Sequence, residues 1–201
     1  MKERFHIIVE GIADEVFIAQ YLCHIFGQII PDGCIVKTDG KDNRQTATNK
    51  MREMSANGGI NLVIFDADQN VEKRKIELLQ WKKEDNLDFD FFLIPNDCEP
   101  GALEDLLENI INPVNRPIME CWENYEKELV KLDIPGRTPP PLTTPAKKTK
   151  IYGYLEALLG KSKFQKDKIK EKEREYYNTQ HWNLDAEYLE PLKVFLIQHL
   201  L

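Results

Sequence analysis

Two acidic turns, each directly after a short apolar run, constrain this chain more than any other feature. Phe5-His6-Ile7-Ile8-Val9 leads into Glu10-Gly11-Ile12-Ala13-Asp14-Glu15, and Ile60-Asn61-Leu62-Val63-Ile64-Phe65 leads into Asp66-Ala67-Asp68. Apolar runs of this length read as strands buried on both faces. In a parallel α/β sheet the carboxyl ends of the strands share one rim, and ligands bind there. Carboxylates gathered at that rim repel one another unless a cation lies between them. A hard divalent ion with oxygen ligands, most often Mg2+, is the usual answer.

Strand and helix patterns alternate through the first 112 residues. A buried helix is expected over 13–26, ended by Gly27 as C-cap. A short strand over 34–37, a polar loop at 38–43 and a helix over 44–56 follow, the last broken by Asn57-Gly58-Gly59. The second acidic turn leads to a helix over 71–85 and a strand over 89–94. Strands separated by helical stretches of this length predict βαβ units and a parallel sheet. For Glu10 to meet Asp66 and Asp68, strands one and three must be neighbours. The order 2-1-3-4 achieves this, with its switch point between those two strands. The expected fold is therefore three-layer α/β, Rossmann-like, with a mostly parallel four-stranded sheet over 1–112. A helical extension over 113–201 packs on it. Helices are expected at 116–132, 151–159 and 161–177, with a terminal helix ending at Leu201. Five prolines between Pro135 and Pro145 make 134–146 a loop.

With 201 residues, 42% of them hydrophobic, the chain can build a real core. No stretch approaches the ~20 apolar residues of a membrane span, and Met1-Lys2-Glu3-Arg4 shows no signal-peptide pattern. The four scattered cysteines, Cys23, Cys34, Cys98 and Cys121, read as buried reduced thiols of a cytoplasmic protein. Net charge is −7, but residues 147–175 carry a local +5, leaving −12 on the rest. That polarity suits an enzyme holding cations in one part and phosphates in another; a solvated charged helix explains the basic segment equally well.

Glu-Gly-x-x-Asp-Glu after a first strand, with Asp-x-Asp after a third, resembles the Toprim catalytic domain of topoisomerases, bacterial primases, ribosomal-RNA maturases and nucleases of the overcoming-lysogenization-defect type. The likeness covers roughly residues 4–112. The segments Ile94-Pro95-Asn96, Pro100 to Leu107, Tyr176-Tyr177-Asn178 and His181 to Leu184 are similar to a bacterial Toprim-like family. The resemblance implies that Glu10 is a general acid/base or metal ligand and that Asp66 and Asp68 bind metal. Lying two apart in an extended segment, both aspartates would face one ion. Gly11 would let the backbone turn sharply at the rim. Asp14 matches a second-metal position of the nuclease branch, or is simply a first-turn helix acid. Glu104 has the same two readings. Gly40 and Lys41 would approach a phosphate, or form an ordinary turn. Lys150 matches the lysine that stabilises charge at the scissile phosphate, with Lys147 beside it as a phosphate contact. Tyr176, Tyr177 and Trp182 are base-stacking or packing residues.

The expected activity is Mg2+- or Mn2+-dependent cleavage of DNA or RNA phosphodiesters. The alternative is a non-catalytic Toprim-like module that binds metal or nucleic acid and works with a partner. No Walker-type GxxxxGK[ST] is present, so an ATPase function would come from a separate chain, and homo-oligomers stay open. Receiver and haloacid-dehalogenase patterns do not fit, because here Asp-x-Asp follows the third strand, not the first.

Overall fold

The computed structural model describes residues 4–38, 44–137 and 142–201. Four parallel strands, β1 (Phe5–Val9), β2 (Ile35–Lys37), β3 (Ile60–Asp66) and β4 (Asp90–Ile94), form one sheet in the order 2-1-3-4. β1 lies beside β3 with Val9 opposite Ile64, which sets Glu10 next to the Phe65–Asp66 end. The apolar runs alternate between two cores. Phe5, Ile7, Val9, Leu62, Ile64, Phe92 and Ile94 face one side of the sheet, and Ile8, Val36, Val63, Phe65 and Leu93 face the other. With both faces buried, these strands are apolar at almost every position.

Helices cover both faces. α1 (Ile12–Phe26) packs in the first core, while α2 (Arg44–Ala56) and α3 (Val71–Glu84) close the second. Gly27 ends α1 in the left-handed region at φ 63°, its N–H donating to Cys23 O at 2.9 Å. α4 (Leu103–Asn109), α5 (Arg116–Leu129), α6 (Lys147–Leu159), α7 (Lys163–Asp167) and α8 (Glu190–Leu200) complete the chain. Residues of α4, α6, α8 and the 169–189 segment share the first core with β1, β3 and α1. The extension is thus part of a sheet-covering layer. Among the described residues no helix is long and apolar enough to cross a membrane.

The helix expected over 161–177 is cut short. Only Lys163–Asp167 is α-helical, followed by a 3-10 turn at Glu171–Glu173 and an irregular stretch. Burial explains this. Tyr176 is fully buried, in edge contact with Phe17, and Arg174 is buried with hydrogen bonds to Ile169 O and Tyr176 Oη. Gln20 of α1 replaces the lost helical bonds. Its Nε2 donates to Arg174 O at 2.7 Å, and its Oε1 accepts from Tyr176 N at 2.6 Å and Tyr177 N at 3.2 Å. The cysteine expectation needs correction too. All four are free thiols, but Cys23, Cys98 and Cys121 are exposed and Cys34 is half-buried. Cys23 sits on the outer side of α1, whose inward face is taken by Phe17, Ile18, Tyr21 and Leu22.

Gln20→Ala removes three hydrogen bonds and leaves the 174–177 backbone polar groups short of partners, so we expect a loss of about 2 kcal/mol in unfolding free energy. Urea denaturation measures it; an unchanged midpoint would show that the segment finds other partners.

Candidate functional site at the acidic sheet rim

The strand order delivers Glu10 and Asp66 to one rim, and two helix starts bring further acids. Gly11 is the N-cap of α1, and its N–H donates to Asp14 Oδ2 at 2.9 Å, so Asp14 does act as a first-turn helix acid. Asp14 is nonetheless buried and lies in the repulsive field of Glu10 and Glu104. Gly11 itself is extended, at φ −146°, a conformation any residue adopts. The sharp turn expected of it is not there.

Asp66 ends β3, and its Oδ1 accepts from Leu103 N at 3.0 Å, at the start of α4. Asp68 departs from the expected alternation. It lies in the left-handed region at φ 53°, which Asp tolerates better than most residues, and its side chain is 66% exposed. Its carbonyl accepts from Gly101 N at 2.7 Å, closing an antiparallel bridge. Gly101, at φ 151°, has room for no side chain, since a Cβ would meet Asp105 Oδ2 at 2.8 Å. The long-range bridge turns Asp68 outward while Asp66 stays inward. The loop carrying Gly101 is held from the other end of the chain. Tyr188 Oη donates to Glu99 Oε2 at 3.0 Å, and Asn96 Nδ2 donates to the same oxygen at 2.7 Å.

The electrostatics follow from this crowding. Burial, reinforced by Asp14, Glu10, Glu104 and Asp68, pushes the Asp66 carboxyl up to about 8. Burial and the nearby Glu10 and Glu104 push Asp14 up to about 6, against the pull of the Gly11 N–H. Glu10 is also raised, by burial, against the opposing pull of Arg74.

Arg74 is the residue that sequence reading missed. It lies in the first turn of α3, which Asn70 caps by accepting from Lys73 N at 2.9 Å. Its Nη2 pairs with Glu10 Oε1, and its Nε donates to Asp66 O at 3.2 Å and lies 3.9 Å from Asp68 Oδ2. Its Nη1 reaches Glu77 Oε2 at 3.1 Å, and its guanidinium carbon lies 5.3 Å from the Phe65 ring centroid. A signal was available. Cations near the start of a helix oppose the macrodipole, and pairs of Lys73 and Arg74 with Glu77 on the same helix offset only part of that cost.

The expected basic partners are elsewhere. Lys150 is buried with its Nζ 2.9 Å from Glu108, one turn beyond Glu104 on α4. Lys147 pairs with Asp105, and Lys148 with Glu171. The start of α6 is thus clasped to acids of α4 and the 171–173 turn, because its lysines face the acidic side of those elements. Tyr176 and Trp182 are core residues, and Tyr177 is exposed. Gly40 and Lys41 fall outside the described residues.

The donor chemistry suits a hard divalent ion, since Glu10, Asp14, Asp66, Asp68 and Glu104 all offer carboxylate oxygens. Among the described residues, however, no three His, Cys, Asp or Glu side chains stand gathered in ligating geometry. Holding an ion would require the rim acids to draw together, which a bound cation favours by removing their repulsion.

A family model described as "Protein of unknown function (DUF3226)" matches residues 4–200. The chain belongs to that family. The DUF3226 match covers sheet and extension alike, as the shared core requires. No curated protein and no solved structure matches the chain.

Because the folded protein holds Asp66 and Asp14 above their unfolded values, it binds more protons than the unfolded chain between about pH 4 and pH 8. In chelator, unfolding free energy should therefore fall as pH rises through that window. Asp66→Asn keeps an acceptor for Leu103 N and removes the charge. It should be more stable than wild type by about 2 kcal/mol at pH 8.5, with the gain vanishing near pH 4. Parallel curves at all pH values would mean that the carboxylates do not repel as their positions require.

Proposed function

We propose that this protein is a Mg2+- or Mn2+-dependent phosphodiesterase acting on DNA or RNA, with the acidic rim as its centre. The observation that supports it is the convergence of Glu10, Asp14, Asp66 and Glu104 at the switch point, where the other three all repel Asp66, and Glu10 and Glu104 repel Asp14. Asp14, Asp66 and Glu104, with Glu10 and Asp68 beside them, would hold the ion. Bound there, a divalent ion supplies an activated water and neutralises charge growing on a phosphoryl oxygen. Glu10 is the proton acceptor: burial raises its carboxyl, and the Arg74 pair keeps it oriented. Asp66 is fixed by Leu103 N, and Lys150, committed to Glu108, takes no step. Four free thiols accord with a cytoplasmic location.

One observation favours a second reading, a non-catalytic metal- or nucleic-acid-binding module serving a partner such as a separate ATPase or a second copy. Lys147, Lys148, Lys150, Lys168 and Lys170 are all paired with acids of this same chain. The basic segment therefore offers a phosphate backbone less charge than its composition implies.

Incubating the protein with single- and double-stranded DNA and RNA, in Mg2+ or Mn2+, decides between them. Metal-dependent cutting is expected, abolished by chelator and reduced about 100-fold or more in Glu10→Gln and Asp14→Asn. A folded wild type that cuts none of these under either metal leaves the binding module standing.

A further inference from the structure

We propose that the cleft between α6 and the 168–182 segment binds a single small anion, of the kind of chloride or inorganic phosphate, through Arg174, Trp182, His181 and Lys168. The site shares no residue with the acidic rim and does not depend on the reading given for it. Arg174 is 4% exposed and Trp182 1%. A buried guanidinium is costly unless its charge and its donors are met. Arg174 Nη1 donates to Tyr176 Oη at 3.2 Å and Nη2 to Ile169 O at 3.1 Å, and its guanidinium carbon lies 5.3 Å from the Tyr152 ring centroid. Among the described residues no carboxylate forms an ion pair with it. Its Nε–H and the Trp182 Nε1–H are both buried without an acceptor. Both side chains line one cleft of about 180 Å3, together with Lys168, Glu175 and the buried His181. Buried N–H groups without a partner are rare. Two of them, beside a guanidinium with no carboxylate, ask for an acceptor that carries negative charge. Glu175 is the acid lining that cleft, and Lys168 already holds it, Nζ to Oε1 at 2.6 Å, with each side chain about one-quarter exposed. In this conformation the cleft is too narrow for a water-sized group. The anion therefore enters by displacing Glu175 from Lys168. The carboxylate moves out to solvent, and the freed lysine joins Arg174 and Trp182 around the anion. Glu175 and Lys168 both act on the His181 ring, in opposite directions, so the ring feels that exchange directly.

The test follows the indole N–H signals of Trp81, Trp122 and Trp182 by proton–nitrogen NMR, with Trp182→Phe identifying the last. Chloride and inorganic phosphate are titrated separately, with ionic strength held constant by a bulky sulfonate salt. The Trp182 signal should move and saturate with at least one of them while the other two indoles stay still. Glu175→Gln removes the competing carboxylate and should tighten that binding about tenfold; Arg174→Gln should abolish it. A Trp182 signal that responds to neither anion overturns the proposal. So does equal movement of all three indoles, or a Glu175→Gln variant that binds no more tightly than wild type. Should Arg174→Gln not fold, the wild type and Glu175→Gln still decide.

Discussion

Mutual repulsion among carboxylates at the β1 and β3 strand ends is the constraint around which the rest of this structure is arranged. Strand order 2-1-3-4 makes the crowding unavoidable, because β1 and β3 end side by side and each is followed at once by an acid. Each neighbouring element then relieves part of it. The α1 start gives Asp14 an N–H to bind, the α4 start gives one to Asp66, and α3 sends Arg74 back over the rim. What remains is a carboxyl at Asp66 that resists ionisation at neutral pH. A group so perturbed by burial and like charge at a strand-end rim is a candidate functional group.

The C-terminal segment serves that rim indirectly. Trp182 meets Tyr154 edge-on and Tyr176 at a tilt, within the core that also holds Phe17 and Tyr21 of α1. Tyr188 ties down the loop that carries Gly101, and Gly101 in turn sets the backbone of Asp68. The Tyr188–Glu99 bond thus joins the C-terminal segment to the loop that meets Asp68. The DUF3226 match to residues 4–200 spans both halves, which share the first core.

Much of the architecture was legible because its signals are local. Strands buried on both faces are written as unbroken apolar runs, and Gly27 and Asn57-Gly58-Gly59 mark helix ends directly. Glu10, Asp14 and Asp66 were legible for the same reason, since each adjoins such a run. Several departures involve partners distant in sequence. The outward turn of Asp68 depends on Gly101. The burial of Lys150 depends on Glu108, and the unwinding of 168–177 depends on Gln20. Helical propensity in that last stretch is real but small, a few tenths of a kcal/mol per residue. Burying Tyr176 is worth more, roughly 1.5–3 kcal/mol for a large side chain.

Arg74 ties these points together. A cation in the first turn of a helix opposes the macrodipole by about 0.3–1 kcal/mol, and α3 carries Lys73 and Arg74 there behind a well-formed Asn70 cap. Pairs with Glu77 on the same helix offset part of that cost, and Arg74 also brings the rim a fixed positive charge between Glu10 and Asp68. Local rules are broken where a site needs them broken. The same logic applies to Asp68, held in a left-handed conformation two residues beyond the half-buried Asp66. Both departures from local preference meet at one point, the junction of β3, α3 and the Gly101 loop. There a guanidinium and several carboxylates face one another at close range.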